Sequence, residues 1–405
     1  MKSEWKTRSL SDVCSKITDG SHFSPPSVDD GEYMVSVKDF TSYGFDFSSS
    51  RKISRLDYET LVRNGCTAEY NDVLIGKDGA RYLEDIILYR QTERPALLSS
   101  IAILKANDEV IPEFLYYRLF DKGFRKQIRE NMGSGSAIPR MVLKDFRRIP
   151  FSYPPIDDQK RITQVLSCLD NKIANNTKIN HHLEQMAQAI FKSWFVDFEP
   201  WGGVMPNDWK DGIVKDTCTA IYNGGTPRRN IDSYWGGTIP WLTSGEVRQS
   251  IIIKPENFIS EAGLTGSSAK WVPSLSTVVA LYGATAGQVS LTATPLTTNQ
   301  AICSLIPKEN YTYYNYLLMR NAVSQLKNKA IGSAQQNISK AIVEETTCLI
   351  VDKNTIAEFD NLVSPLFNVW INNLFESSRL AALRDSLLPR LMSGELSVAD
   401  LDAAK

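Results

Sequence analysis

Apolar residues recur three or four positions apart through Ile162, Val165, Leu169, Ile173, Ile179, Leu183, Met186, Ile190 and Trp194. No Gly or Pro interrupts this stripe between Pro154-Pro155 and Pro200. The spacing predicts one helix of about 40 residues, hence about 60 Å long. A second stripe runs through Ile356, Phe359, Val363, Leu366, Trp370, Leu380, Leu383, Leu387 and Leu391, with Pro365 expected to kink or restart the helix and Gly394 to end it. Both are far longer than the usual helix of about 12 residues. An a/d-like stripe on each predicts an antiparallel coiled coil of the two. The positions Lys172, Asn175, Asn176, Lys178 and Asn180 read as its polar face, with the seam most polar at Asn175-Asn176. The competing reading is that each helix packs on its own domain as ordinary core.

Between these helices the pattern shortens. Strand-like runs at Met34–Val37, Val73–Ile75, Ser100–Leu104, Val278–Leu281 and Ala301–Ile306 are separated by Gly, Pro, Ser and Asp turns. Helical segments follow late, at Pro112–Ile128 and Tyr313–Ala330. The chain is also written twice. A shift of 204 places Trp5 on Trp209, Lys6 on Lys210, Asp12 on Asp216, Cys14 on Cys218, Ile17 on Ile221, Gly20 on Gly224 and Gly79-Ala80 on Gly283-Ala284; near a shift of 200, Gly133-Ser134 meets Gly332-Ser333. A repeat of this length means two similar α+β domains and not a solenoid. The segmentation that follows is a first domain over 1–153, a long helix over 154–200, a second domain over 201–350, a long helix over 351–394 and a tail over 395–405, with an internal pseudo-two-fold repeat.

The chain's 405 residues are enough for more than one core. With 45 Lys and Arg against 46 Asp and Glu, a partner that prefers positive charge has to be met by a local patch. Six cysteines stand singly beside three histidines, which argues against a zinc site or a disulfide framework and fits a reducing cytoplasm. Neither an apolar leader segment nor a membrane span is legible, so a soluble cytoplasmic protein is expected. The phosphate-cradling motif G-x-x-x-x-G-K-[ST] is missing, as are G-x-S-x-G and H-E-x-x-H. Tyr153-Pro154-Pro155-Ile156 and Ser24-Pro25-Pro26-Ser27 only approach the N/D/S-P-P-aromatic motif of adenine methyltransferases. A binding protein is therefore favoured over an enzyme. A bifunctional DNA-modifying enzyme with unrecognised catalytic residues, and a pure scaffold, remain the alternatives.

Local charge is less even. From Arg118 to Arg148 nine basic residues (Arg118, Lys122, Arg125, Lys126, Arg129, Arg140, Lys144, Arg147, Arg148) face three acidic ones, and Arg320, Lys327, Lys329 and Lys340 stand without an acid in the matching stretch. Recurrence at matching positions suits phosphate binding, although a solvated helix face gives the same run. After each basic segment comes a loop of small polar residues, Gly133-Ser134-Gly135-Ser136 and Gly332-Ser333-Ala334-Gln335-Gln336-Asn337. Ser134, Ser136, Gln335, Gln336 and Asn337 are candidate DNA contacts, because Gly allows close approach to a phosphate and Gln or Asn can read a base edge. Plain surface linkers would look the same.

Gly224-Gly225-Thr226-Pro227, Tyr234-Trp235 and Gly237-Thr238-Ile239-Pro240-Trp241 resemble the opening signature of a target recognition domain in type I restriction-modification specificity subunits. Asp19-Gly20-Ser21-His22 with Val37-Lys38-Asp39 resembles it more loosely. Ile190-Phe191-Lys192-Ser193-Trp194-Phe195 and Ser386 to Leu396 are similar to that family's central and C-terminal helical regions. The resemblance implies a non-catalytic subunit that reads a bipartite double-stranded DNA target, one half-site per domain. It implies docking of two methyltransferase subunits and of restriction/translocase subunits, with the long helices setting the half-site spacing. S-adenosylmethionine, ATP and Mg would then sit on those partners, none of them on this chain, and no membrane would be involved. DNA contacts are expected at Ser21, His22, Lys38, Lys77, Arg81, Arg125 and Arg140 in the first domain. In the second they are expected at Thr226, Arg228, Arg229, Thr243, Ser244, Tyr282, Thr285, Lys329 and Lys340.

Overall fold

The computed structural model describes residues 5–41, 43–79, 81–132, 140–331 and 337–397. Two compact units emerge: Met1–Ala174 with Arg379–Lys405, and Asn175–Ser378. The units cut across both long helices, so that each takes half of each helix into its own core.

Both units are built on one plan. In the first, the strands Cys14–Asp19, Ile101–Ala106, Val73–Gly76 and Ile86–Leu88 form an antiparallel sheet in that order. In the second, Cys218–Asn223, Ile302–Pro307, Thr277–Ala280 and Val289–Thr292 repeat the order, and Ile251–Ile252 adds a parallel fifth strand. A two-stranded ribbon closes each unit, Lys6–Ser9 with Pro150–Tyr153 and Lys210–Ile213 with Thr347–Ile350. The sequence expectation of an α+β repeat holds. Each expected late helix is a pair: Pro112–Phe120 and Lys122–Met132 in one unit, Thr312–Asn321 and Val323–Ile331 in the other. The first break falls where Asp121 turns to extended backbone (φ −60°, ψ 117°) and its carboxylate accepts the Gly123 amide at 2.9 Å.

The long helices are Ile156–Phe195 and Lys353–Met392, 40 residues each. The second runs on through Pro365 without the restart that was one of the two outcomes expected there. Pro365 is exposed and so is Asn361, whose carbonyl it leaves unpaired, so water can take over the lost bond. The helix ends as expected at Gly394, left-handed at φ +71°, where the Leu396 amide reaches back to the Arg390 carbonyl at 3.0 Å.

Within the first unit Ile162, Leu166, Leu388 and Leu391 are buried together with Phe114, Phe146 and Phe151. Within the second, Ala187, Phe191 and Phe195 meet Phe359, Val363 and Phe367. The two helices also pair antiparallel in each unit: Asp170 meets Arg384 in the first, while Asn176 meets Glu376 and Phe191 meets Phe359 in the second. Core packing and helix pairing therefore coexist. Asn176 and Asn180, expected on the polar outer face, are buried in the seam, while Ile179, expected in the seam, is exposed. The Asn176 amide donates to Glu376 Oε2 at 2.7 Å and Ser377 Oγ at 3.2 Å, and Asn373 donates to Asn180 Oδ1 at 2.9 Å. These partners make the buried amides tolerable, and such a polar knot fixes register in paired helices.

Candidate nucleic-acid interface

Each unit presents a loop held by the same set of backbone bonds. The strands Cys14–Asp19 and Cys218–Asn223 each run into a glycine. Gly20 donates to the Ile101 carbonyl at 3.1 Å and Gly224 to the Ile302 carbonyl at 3.4 Å. The next residues, Ser21 and Gly225, donate to Leu97 (2.7 Å) and Thr298 (2.9 Å). These approaches leave no space for a side chain: a Cβ would lie 2.3 Å from the Leu97 carbonyl oxygen at Gly20 and 2.0 Å from that of Thr298 at Gly224. Alongside, Lys77 donates to Ser100 and Leu281 to Ala301, at 2.9 and 2.8 Å. Met141 and Ile338 then donate to the carbonyls of Lys77 and Leu281, at 2.9 and 2.8 Å. Chain segments far apart in sequence are thus tied into one frame, and the frame occurs twice.

What each frame displays is different. In the second unit Pro227 restricts the loop, the Trp241 indole donates to the Gly225 carbonyl at 3.0 Å, and the Trp235 indole donates to the Arg228 carbonyl at 3.2 Å. The two indoles meet edge-on, 5.1 Å between centroids. On this anchored loop Arg228 and Arg229 are exposed, and neither has an ion pair among the described residues. Thr226 donates its hydroxyl proton to Gln300 Oε1. Tyr282 is exposed just beyond the strand Thr277–Ala280, whereas Thr285 is buried. Thr243 is committed to Glu246, which accepts from its amide at 2.9 Å and its hydroxyl at 2.8 Å, and Ser244 follows half-buried. Lys340 serves the fold, reaching the Ile221 carbonyl at 3.2 Å and Glu344 at 2.9 Å. Asn337 lies half-buried beside Ile338.

In the first unit the frame carries charge inside it. Lys77, where the second unit has Leu281, is buried with its ammonium 3.3 Å from Asp19 Oδ2 and 3.7 Å from Asp78 Oδ2. The exposed His22 also rests on Asp19, Nε2 to Oδ2 at 3.3 Å. Ser21 turns its hydroxyl onto the Phe23 carbonyl at 2.6 Å, leaving Phe23 itself 64% exposed. Lys38 and Arg140 are exposed, Arg140 bridging to Asp78 through its backbone, and Arg81 is exposed but paired with Asp85 at 2.6 Å. Of the expected contacts, His22, Lys38, Arg81, Arg140, Arg228, Arg229 and Tyr282 are therefore at the surface. Ser21, Lys77 and Thr285 are not. Ser134, Ser136, Gln335, Gln336 and the side chain of Lys329 lie outside the described residues.

Much of the basic run is turned inward. Arg125, expected on phosphate, is only 4% exposed, and its guanidinium donates to Glu84 Oε2 and to the Leu83 carbonyl, both at 2.9 Å. Arg129 shares Glu84, Lys122 reaches Asp385 at 3.2 Å, and Arg118 lies over the Phe124 ring and donates to the Met392 carbonyl at 3.1 Å. In the second unit Arg320 pairs with Glu184 at 2.8 Å. These cations offset carboxylates and tie helices to one another and to the turn at Tyr82–Glu84, so net charge per segment overstated what is displayed. Lys144, Arg147 and Arg148 remain exposed. Sequence reasoning passed over Gln300, which the structure brings onto Thr226 as its hydrogen-bond acceptor. Its only sequence signal was a polar turn, Thr298-Asn299-Gln300, between two apolar runs.

No helix among the described residues is long and apolar enough to cross a membrane. Residues 2–185 and 206–357 match the Type I restriction modification DNA specificity domain, one match in each half of the chain. Among curated relatives, the Type I restriction enzyme MjaIX specificity subunit of Methanocaldococcus jannaschii is 26% identical over 309 residues, 73% of this chain and 71% of that protein. The HindI specificity subunit of Haemophilus influenzae is 26% identical over 361 residues, 71% of this chain and 78% of that protein. In fold, the S subunit of a type I restriction-modification system from M. genitalium superposes with a TM-score of 0.59 at 14% identity, covering 96% of both chains. With the domain present twice and most of the chain inside it, this protein belongs to the family of type I restriction-modification specificity subunits, the DNA-recognition subunits of those systems.

Proposed function

We propose that this chain reads a two-part duplex DNA target, one half-site per unit, and itself carries out no chemistry on the DNA. The observation that supports this is the pair of identical backbone frames bearing different side chains: Asp19, His22 and Lys77 in one, Asn223, Thr226, Gln300 and Leu281 in the other. A frame made only of backbone bonds does not depend on what it displays, so two copies can carry different readers. Methylation and cleavage would belong to two methyltransferase subunits and to restriction/translocase subunits, which would hold S-adenosylmethionine, ATP and Mg. The long helices would dock them and set the half-site spacing. Each helix carries exposed apolar residues seven apart, Ile179 and Met186 on one, Leu362 and Val369 on the other, suited to an amphipathic partner surface. The test is exchange of residues 205–350 for the matching domain of another family member, followed by sequencing of methylated adenines in cells that carry the partner methyltransferase. One half of the methylated sequence should change and the other stay. A change in both halves would refute independent reading.

A further inference from the structure

The pairing of Gln300 with Thr226 turns a long, mobile side chain into a fixed one. Gln300 sits in a closed turn: the Ala301 amide donates to Asn299 Oδ1 at 3.1 Å, the Ile302 amide to the Asn299 carbonyl at 3.2 Å, and the Asn299 amide to the Leu242 carbonyl at 3.0 Å. Thr226 stands on the glycine loop, between Gly225, bonded to Thr298, and Pro227. Both ends of the Thr226 to Gln300 bond therefore rest on anchored backbone. Gln300 is nevertheless exposed. A threonine hydroxyl has one proton to give, and here it goes to Oε1. Both protons of the Gln300 Nε2 are left without a partner among the described residues. Two and three residues beyond Thr226 come Arg228 and Arg229, exposed and without ion pairs among the described residues.

A fixed pair of donors beside two displayed guanidinium groups is a chemical description of a base reader with its backbone anchors. Arginines neutralise phosphate and set position, and a held amide then selects on the base edge. In the major groove both purines offer N7 as an acceptor at the place where a pyrimidine offers only its C5–H or C5-methyl, and the N4 amino donor of cytosine suits a carboxylate instead. Resting on the reading of one half-site per unit, we propose that Gln300, positioned by Thr226, is a specificity-determining residue of the second unit and selects a purine at one position of its half-site. In the first unit the matching position of the frame is Ser99, whose amide donates to the Ser21 carbonyl at 2.9 Å, and Asp19 holds His22 where Gln300 would meet Thr226. The same purine preference is therefore not expected in the other half-site.

The experiment is selection from a randomised duplex library by the full chain assembled with its methyltransferase subunits, comparing the parent with Gln300→Glu, Gln300→Ala and Thr226→Val. The parent should select a two-part sequence with a purine at the position concerned. Gln300→Glu keeps the Thr226 bond but replaces the donors by acceptors, so purine preference there should fall roughly tenfold or more and cytosine should rise. Gln300→Ala and Thr226→Val should relax the same position without installing cytosine. The half-site of the first unit should stay as it was in all three, which also shows that the variants fold. If the parent selects a two-part sequence and no variant alters any position, Gln300 is no reader while the two-part reading stands. If the parent selects no two-part sequence, the reading of one half-site per unit is itself overturned, and this inference with it.

Discussion

Two kinds of arginine separate cleanly in this fold, and substituting one of each should give opposite results. Arg125 is 4% exposed, bonded to Glu84 and to the Leu83 carbonyl, with its guanidinium 5.7 Å from the centre of the Phe120 ring. Arg125→Ala removes a buried cation and leaves Glu84 to Arg129 alone. Breaking a fully buried pair costs about 3–5 kcal/mol, but Glu84 is 40% exposed, so a discounted cost of about 2–3 kcal/mol is appropriate. For a unit of this size that lowers Tm by roughly 5–10 °C. Arg228→Ala with Arg229→Ala removes two exposed cations that have no ion pair among the described residues, and Tm should change by about 1 °C or less. On DNA the order reverses. Losing two phosphate contacts should reduce the slope of log K against log salt by about 1.8, and weaken cognate and unrelated duplexes alike. Arg125→Ala, assayed well below its Tm, should keep the parental slope. The measurements are thermal unfolding of the purified chain and duplex binding across a salt series. An Arg125→Ala protein with parental Tm and a reduced slope would refute the reasoning, because the inward arginine would then be the phosphate contact.

Three further outcomes follow from single sites. Burial raises the Asp360 carboxyl to about 6, and its Oδ1 has no partner among the described residues; because the folded value lies above the unfolded one, its contribution is present below about pH 4 and lost as pH rises through 6. Asp360→Asn should therefore stabilise by ~1–2 kcal/mol at pH 7, discounted for partial exposure, and flatten the pH 4–6 limb of urea-unfolding stability; no gain at pH 7 would count against it. Gly224→Ala drives a methyl to 2.0 Å from the Thr298 carbonyl oxygen and should cost about 1–3 kcal/mol in unfolding experiments while degrading reading of one half-site only. Asn176→Ala takes a buried amide donor away from Glu376 and should destabilise by about 1–3 kcal/mol in the same measurement, which an outward-facing asparagine would not.

Periodicity carried most of the fold. The two stripes gave helices, expected over 154–200 and 351–394, that begin and end within about five residues of Ile156–Phe195 and Lys353–Met392, because seam spacing and flanking Pro and Gly are local properties. The repeat likewise found both copies of the sheet, since Ile17 and Ile221 occupy one position of the strand, and Gly20 and Gly224 the position just after it. What failed depended on distant partners. Asn176 reads as solvent-facing from its neighbours and becomes a seam residue only because Glu376, Ser377 and Asn373 lie about 200 residues on. Arg125 counts as positive until Glu84, 41 residues earlier, accepts it. Gln300 was invisible for the same reason, its partner Thr226 being 74 residues away. Composition reports charge, but the contacts that bury or expose it are tertiary.

The exchange of Lys77 for Leu281 shows how the two copies could diverge without rebuilding their backbone. Both residues make the same two backbone bonds, donating to Ser100 or Ala301 and accepting from Met141 or Ile338. Their side chains differ in demand: a buried ammonium needs carboxylates, supplied by Asp19 and Asp78, while a buried leucine needs none. Once Lys77 is present, Asp19 is held in place, and Asp19 in turn holds the exposed His22. With Leu281 instead, the residue matching Asp19 is the uncharged Asn223, and the loop's polar partner becomes the Thr226 to Gln300 bond. One buried position therefore determines which kind of side chain the loop above it can hold still. Lys77→Leu alone strands Asp19 without its buried cation, whereas Lys77→Leu with Asp19→Asn restores the neutral pairing of the other copy. The double variant should recover most of the Tm lost in the single one, and failure to recover would mean that the frames are not interchangeable.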